Sequence, residues 1–517
     1  MASQILFLIA AVAFAAYLCT YLARPRFSNP NNLPLPPGPP GEPIIGHLRV
    51  IPVDNPEFAY AKWSQQYKSD VIHVSILGQP IIVLNSVSAA VELLDKRGAN
   101  YCDRPRFVLF EVMGWQATLT FLRWGPRFKL HRKVLQRAFT PTSCVKYRGL
   151  QQREARILLR GILSHPSDWE RVLRRFATAV VLGIGFGVQV KSDDDPYIKI
   201  ATDASYALGH GGAPAGTPVD FFPVLKYVPD FIARCRSLKF ARNWKWAIRA
   251  IHDVPFAAVH DDFRKGRAQP SFLSALLEQS ATKTDSDVNC FTIEDIKGAA
   301  GAVFAAGQDT TWSTLVVFIL NMVLHPEIQG KAQKQLDAIV GPGRLPTFGD
   351  RSRLTYIDYI VQETLRWGPV SPIGVPHRSL EDDEYEGMFI PKGSFVYANA
   401  RAMTHDERIY SNSEEFNPDR FIPKSAGGLG EPLPVGQFGF GRRVCVGRHL
   451  AEASVWIVVA TMLATMTIEK AVDCDGNEIV PDVELTNGLT SHPKPFKCRI
   501  IAKSEDAREL ILASEED

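Results

Sequence analysis

The decapeptide FGFGRRVCVG (Phe438–Gly447) constrains this chain more than any other stretch of it. It sets Cys445 behind a turn rich in glycine and arginine, just before a long apolar run. Gly439 and Gly441 allow the tight, positive-φ turns that other residues avoid. A turn that enters a helix aims backbone N–H groups at the sulfur, and those donors with the helix dipole stabilise a thiolate. Gly447 keeps the helix start thin enough for a flat group to approach, and Arg443 can pair with a carboxylate on such a group. A lone cysteine is otherwise a small buried hydrophobe. The choice between core thiol and ligand rests on what the rest of the chain supplies.

The eight cysteines (Cys19, Cys102, Cys144, Cys235, Cys290, Cys445, Cys474 and Cys498) include no pair at C-x-x-C spacing. That argues against zinc ribbons, thioredoxin-type pairs and cysteine-ligated iron–sulfur clusters. Their spread does not describe a disulfide-dense secreted scaffold, so the main body is expected in a reducing compartment. At 517 residues, with no internal repeat, the chain can enclose a cofactor in a large core. The net charge of +3, with no basic run, excludes nucleic acid as the main partner.

Ile5–Leu22 carries no charge and approaches the ~20 residues that span a hydrocarbon core. Arg24 and Arg26 follow at once, which places the bulk of the chain in the cytoplasm. Met1–Gln4 lacks the basic residues of a cleaved signal peptide. The expected organisation is a short lumenal N-terminus (1–4), a transmembrane anchor (5–22), a basic and Pro-rich hinge (23–46), a catalytic domain (47–505) and a polar tail (506–517). Within the hinge, the prolines of Asn29–Pro43 favour a stiff, extended spacer.

Beyond the hinge, Val71–Ile76 and Pro80–Leu84 flank Leu77-Gly78-Gln79 as a small hairpin. Helices are expected over Arg127–Phe139, Glu327–Val340 and Leu354–Trp367, and short strands over Tyr385–Ile390 and Ser394–Ala398. Thr292–Leu324 reads as one long apolar helix opening on a capping box from Thr292 to Asp295. Inside it, Gly307–Thr311 (GQDTT) is a polar island, and a hydroxyl and a carboxylate there are costly unless they act. The bland alternative for Thr310 is a hydroxyl bonded back to its own helix. Ala451–Met466 is short for a membrane span and reads as a buried core helix.

Phe438–Gly447 matches every fixed position of F-x-x-G-x-R-x-C-x-G, the haem-binding signature of cytochrome P450 enzymes. Glu363-Thr364-Leu365-Arg366 resembles that family's E-x-x-R motif, Phe416–Phe421 its P-[ED]-R-F region, and Ala306–Thr311 its [AG]-G-x-[DE]-T-T helix. The resemblance implies a mainly α fold with small β-sheets, preceded by a single N-terminal transmembrane helix. It implies haem b with Cys445 as axial thiolate, cradled by Phe438, Gly439 and Gly447. Arg132, His377 and Arg443 are implied to hold its propionates. Asp309 is implied to relay protons, Thr310 to hydrogen-bond dioxygen, and Gly307 to leave room for it. Glu363, Arg366 and Arg420 are implied to form a buried structural cluster. His131 and His325 read as surface or packing residues. Two positions depart from the pattern: Phe128 stands where a tryptophan is usual, and Val446 where a proline is common.

The activity implied is a monooxygenase acting on an apolar small molecule with dioxygen. Electrons would come from NADPH–cytochrome P450 reductase, with cytochrome b5 as a second donor. Lys129, Arg132, Lys133, Arg137, Arg442 and Arg448 offer a basic docking face. Substrate contacts are implied from Phe107–Phe121, Ala300–Thr310, Val370–Val375 and Asn487–Ser491. The location implied is the endoplasmic reticulum membrane, single-pass, with the catalytic domain cytoplasmic. Met113–Trp115 and Gly374–Arg378 are similar to fungal secondary-metabolism P450s, the type that includes O-methylsterigmatocystin oxidoreductase and enzymes acting on terpenoids. Rival readings are a P450 fold performing dehydration, isomerisation or ring rearrangement, and a haem-binding protein without turnover.

Overall fold

Leu77 and Gly78 both take positive φ, 50° and 75°, as a two-residue type I′ hairpin turn requires. They join β1 (Val71–Ile76) to β2 (Gln79–Leu84), with Val71 opposite Leu84 and Ile76 opposite Gln79. Gln79, expected in the turn, is therefore the first residue of a strand. The computed structural model describes residues 29–212, 215–281 and 291–513. The expected anchor Ile5–Leu22 lies outside these residues.

β2 pairs in parallel with β6 (Phe395–Ala398), and β6 pairs antiparallel with β3 (His377–Arg378), giving the order β1-β2-β6-β3. The single strand expected over Tyr385–Ile390 is instead a hairpin of β4 (Asp383–Tyr385) and β5 (Met388–Ile390). Glu386 and Gly387 turn the chain between them with φ of 50° and 73°. A third sheet sets β7 (Met466–Val472) between β8 (Glu478–Ile479) and β9 (Cys498–Ala502).

Helices form the rest of the frame. Those that position the site are α1 (Pro126–Ala138), α2 (Trp169–Phe186), α3 (Arg236–Arg264), α4 (Ile293–Leu324), α5 (Pro326–Ile339), α6 (Thr355–Trp367) and α7 (Arg448–Thr465). At the start of α4, Thr292 Oγ1 accepts the Asp295 N–H at 3.1 Å. The Asp295 carboxylate accepts the Thr292 N–H at 3.2 Å, so the capping box forms as expected. The helix is apolar on nearly every side because protein surrounds it: α2, α3 and α7 all pack on it. It is long and apolar enough to cross a membrane, yet 78% of its most apolar window is buried inside the protein, which makes it a core helix. α7 is buried over most of its length too, with Trp456 fully enclosed.

The chain's edges hold more structure than expected. The described part of the Pro-rich hinge is hydrogen-bonded onto two sheets: the Pro34 carbonyl accepts the Phe389 N–H at 2.8 Å and the Pro37 carbonyl accepts the His73 N–H at 2.9 Å. Proline lacks a donor but keeps its carbonyl, so an extended proline stretch can still serve a sheet edge. The tail is helical over Glu505–Ala513, with Ala507 and Ile511 buried.

Candidate active site

Cys445 sits where a short 3₁₀ turn, Gly441–Arg443, feeds α7. Its own N–H donates to the Phe438 carbonyl at 2.8 Å, which closes the loop behind it. Gly441 has φ of 56°, and a Cβ there would lie 2.0 Å from the Leu94 carbonyl oxygen; its N–H donates to the Asp95 carboxylate. The Gly447 and Arg448 N–H groups hydrogen-bond the Cys445 sulfur, and the charges of Arg132 and Arg448 add to them. Burial outweighs these aids and raises the thiol, although the residue is exposed. A cation beside the sulfur would tip it to thiolate.

Beside this loop lies a cationic cluster, Arg104, His377 and Arg443, to which no carboxylate is hydrogen-bonded among the described residues. Arg443 Nε donates to the Cys102 carbonyl at 2.7 Å, while its Nη1 and Nη2 are buried without a partner. Arg104, buried, donates to the Val375 and Pro376 carbonyls at 2.5 and 2.9 Å and leaves Nε unpartnered. His377 Nδ1 donates to the Tyr101 carbonyl at 2.8 Å. Burial, then Arg104, holds His377 well below the usual histidine range. Burial pulls Arg443 down to about 10, against the opposing pull of nearby Asp103. That carboxylate is committed elsewhere, to Arg123 at 2.5 Å and Arg378 at 3.2 Å. Orphaned guanidinium N–H groups are costly unless an anion meets them. The cluster fits the paired carboxylates that a haem would bring. The Phe128 ring supports it: the Arg443 guanidinium carbon is 3.6 Å from the ring centroid.

Arg104 escaped the sequence reading because nothing in Asp103-Arg104-Pro105 shows that it will meet His377 and Arg443. Arg132, on α1, has a partner in the cysteine loop. Its Nη1 donates to the Val444 carbonyl at 2.7 Å, so it braces the cysteine loop from the α1 side.

In α4, Asp309 is buried, Thr310 half-buried and Ala306 exposed. The Thr310 hydroxyl donates to the Ala306 carbonyl at 2.7 Å, the back-bonded geometry weighed for it. Asp309 points toward α2 and the C-terminal segment: Thr490 Oγ1 donates to its Oδ2 at 2.8 Å, and Arg174 Nη1 lies 3.8 Å from Oδ1. The role expected of Gly307 is corrected. A Cβ there would lie 2.4 Å from Val181 Cγ1, so this glycine serves the contact with α2. At 100° per residue, Ala306 and Thr310 share one helix face and Gly307 turns off it. His131 is fully buried and bonds the Asp295 carboxylate at 2.9 Å, a packing role with a defined partner.

Glu363, Arg366 and Arg420 are wholly buried together. Arg366 Nε and Nη2 donate to the two Glu363 oxygens at 2.7 and 2.8 Å, and Arg420 Nε to one of them at 3.0 Å. Glu431, absent from the sequence reading, accepts from Arg420 at 2.6 Å. Arg366 also ties down the Thr404 and Ser413 carbonyls at 2.9 and 2.7 Å. The cluster thus fastens the chain that leads to the cysteine loop against α6.

The family model for cytochrome P450 matches residues 36–500. The chain belongs to the cytochrome P450 family. It is 40% identical to a cytochrome P450 monooxygenase of Armillaria gallica, over 97% of this chain and 98% of that one. It is 37% identical to the cytochrome P450 monooxygenase claR of Ampulloclitocybe clavipes, over 92% and 88%. It is 34% identical to the tryptamine 4-monooxygenase of Psilocybe cyanescens, over 94% and 96%. This P450 is thus an oxidoreductase of the monooxygenase type and binds haem b.

Of the basic face expected on a P450, Lys129, Lys133, Arg137 and Arg442 are exposed. Arg132 and Arg448 turn inward to the Val444 and Cys445 carbonyls. Lys129 and Arg442 both lie against the Trp124 ring, at 5.1 and 5.4 Å from its centroid.

Proposed function

We propose that this P450 oxidises an apolar small molecule, a fungal secondary metabolite such as a terpenoid, by inserting one atom of dioxygen. Bound haem supplies the dioxygen-activating chemistry. Cys445 would supply the thiolate that ligates its iron, Arg104, His377 and Arg443 would hold the propionates, and Phe438, Gly439 and Gly447 would shape the cradle. The observation that carries this reading is the set of orphaned N–H groups on Arg443 and Arg104 beside the Cys445 loop. With Nδ1 committed to Tyr101, His377 reaches an anion only as imidazolium, a form that an adjacent carboxylate favours.

Monooxygenation consumes protons as the second oxygen atom leaves as water. Asp309 and Thr310 are the groups of α4 that could deliver them. Thr310 holds a proton at Oγ1 and reaches the groove when it lets go of the Ala306 carbonyl. Asp309, buried but not sealed, supplies the next proton from behind. Burial shields the Asp309 carboxylate from bulk water. The Asp309–Thr310 pair favours oxygen insertion over isomerisation, which needs no proton supply.

Electrons come from NADPH through a separate reductase docking on the exposed lysines and arginines near Cys445, with cytochrome b5 as a second donor. Ile5–Leu22 anchors the enzyme in the endoplasmic reticulum membrane, from which an apolar substrate enters. The reduced, carbon monoxide-bound protein is expected to show the absorption band that names the family. Cys445→Ala should abolish it, and a normal band in that variant overturns the ligand assignment. Labelled dioxygen should place one atom in the product; unlabelled product would favour rearrangement.

A further inference from the structure

Asp309 of α4 meets two side chains that are not on α4. Its carboxylate lies between two groups of different kind. Arg174 of α2, with its guanidinium stacked 3.7 Å from the Trp312 ring centroid, faces Oδ1 at 3.8 Å. Guanidinium keeps its proton at any pH a protein survives, so Arg174 can hold the carboxylate but not feed it. Thr490 faces Oδ2 with a hydroxyl at 2.8 Å. A hydroxyl donates one proton while accepting another, the property a relay needs. Thr490 is half-buried.

The loop that carries Thr490 is built to hold it there. Its base is closed by the Thr486 N–H donating to the His492 carbonyl at 2.8 Å, and by the His492 N–H donating to Thr486 Oγ1 at 3.1 Å. Its far side is tied to the segment after α6: the Ser491 N–H donates to the Val370 carbonyl at 2.7 Å, and Ser371 Oγ to the Leu489 carbonyl at 3.1 Å. Two further titratable groups lie nearby: His492, whose ring lies 4.7 Å from that of Trp312, and Glu170, whose charge acts on Arg174 as that of Asp309 does.

We propose that Thr490 is the outer hydroxyl of a proton route whose middle is Asp309 and whose inner end is Thr310. The proposal rests on the reading of Asp309 and Thr310 as the proton-delivering pair. Once Asp309 has given its proton inward, the Thr490 hydroxyl passes its proton to Oδ2 and takes one from water on its exposed side. One O–H bond forms as another breaks, the hydroxyl is regenerated, and no electron changes hands. Because the loop is fastened to Val370 and Ser371, displacement of that segment also moves the hydroxyl off the carboxylate.

The test uses the holoenzyme with its reductase, NADPH and dioxygen, following oxygen consumption without added substrate in water and in heavy water across neutral pH. Thr490→Val and Thr490→Ala should slow it roughly tenfold, the factor expected when one hydrogen bond's worth of positioning is lost. The heavy-water effect should grow and the pH profile should change, while Thr490→Ser restores both. In the resting protein, the Asp309 carboxylate stretch, assigned by its loss in Asp309→Asn, should shift in Thr490→Val and return in Thr490→Ser. Haem content and the carbon monoxide band should stay as in the parent. Wild-type rate, isotope effect and carboxylate stretch in Thr490→Val overturn the proposal, as does equal behaviour of the Val and Ser variants. If Asp309→Asn also leaves rate and isotope effect unchanged, the proton-pair reading falls with it.

Discussion

The Phe128 ring and the Arg443 guanidinium lie face to face, 3.6 Å from ring centroid to guanidinium carbon. Phe128 replaces an expected indole, so it donates no hydrogen bond, but it keeps the flat surface that orients Arg443. A desolvated cation–π contact contributes about 2 kcal/mol. Phe128→Leu should therefore speed haem loss to an apo-globin acceptor by about thirtyfold. Phe128→Trp should hold haem at least as well as the parent. Unchanged haem transfer in Phe128→Leu would remove this role.

Glu363 balances two arginines at zero exposure. Removing one partner of a buried ion cluster costs about 3–5 kcal/mol, because the charges left behind have no solvent. Glu363→Gln should yield little folded holoprotein, and what survives should melt well below the parent by calorimetry. Glu431→Gln should be milder, since Arg420 keeps Glu363 and the Ser411 and Glu415 carbonyls.

Gly441→Ala adds a Cβ at a positive φ and against the Leu94 carbonyl. The left-handed conformation alone costs about 1–2 kcal/mol, and the backbone neighbour cannot rotate away. The variant should lose thermal stability and most of the thiolate-type carbon monoxide band. Gly343→Ala, with open space around it, is the matched control and should retain both.

His131, His252, His377 and His405 are all held below the usual histidine range, by burial first in every case. A histidine harder to protonate in the fold than in the open chain leaves the unfolded state binding more protons. Stability is then complete above the ordinary value of ~6.5 and falls as pH drops toward the folded values. The apoprotein's melting midpoint should be flat near neutral pH and decline below about 6.5. His252→Gln, which removes one titrating group between Thr118 and the Ile248 carbonyl, should make that decline shallower.

The features that were legible from residue order are local ones. The capping box of α4, the hairpin around Gly78 and the turn glycines before Cys445 each concern residues within a few positions of one another. There backbone geometry leaves few choices. The signature around Cys445 carried the family, because a thiolate at a helix mouth needs those residue types at that spacing. The split of Tyr385–Ile390 was missed because Glu386 takes positive φ, a conformation that residue rarely adopts.

By itself the sequence determined a cysteine-bearing loop ahead of a buried helix, a polar island inside an apolar one, and a carboxylate matched to two arginines. Tertiary structure alone decided which distant groups complete them. It brought Arg104 and His377 to Arg443, turned Arg132 onto the Val444 carbonyl, aimed Gly307 at Val181, and set Thr490 on Asp309. The physical reason is that each of these contacts joins segments far apart in the chain. A local pattern specifies that a charge or hydroxyl will need a partner; only packing of the whole fold selects which one arrives.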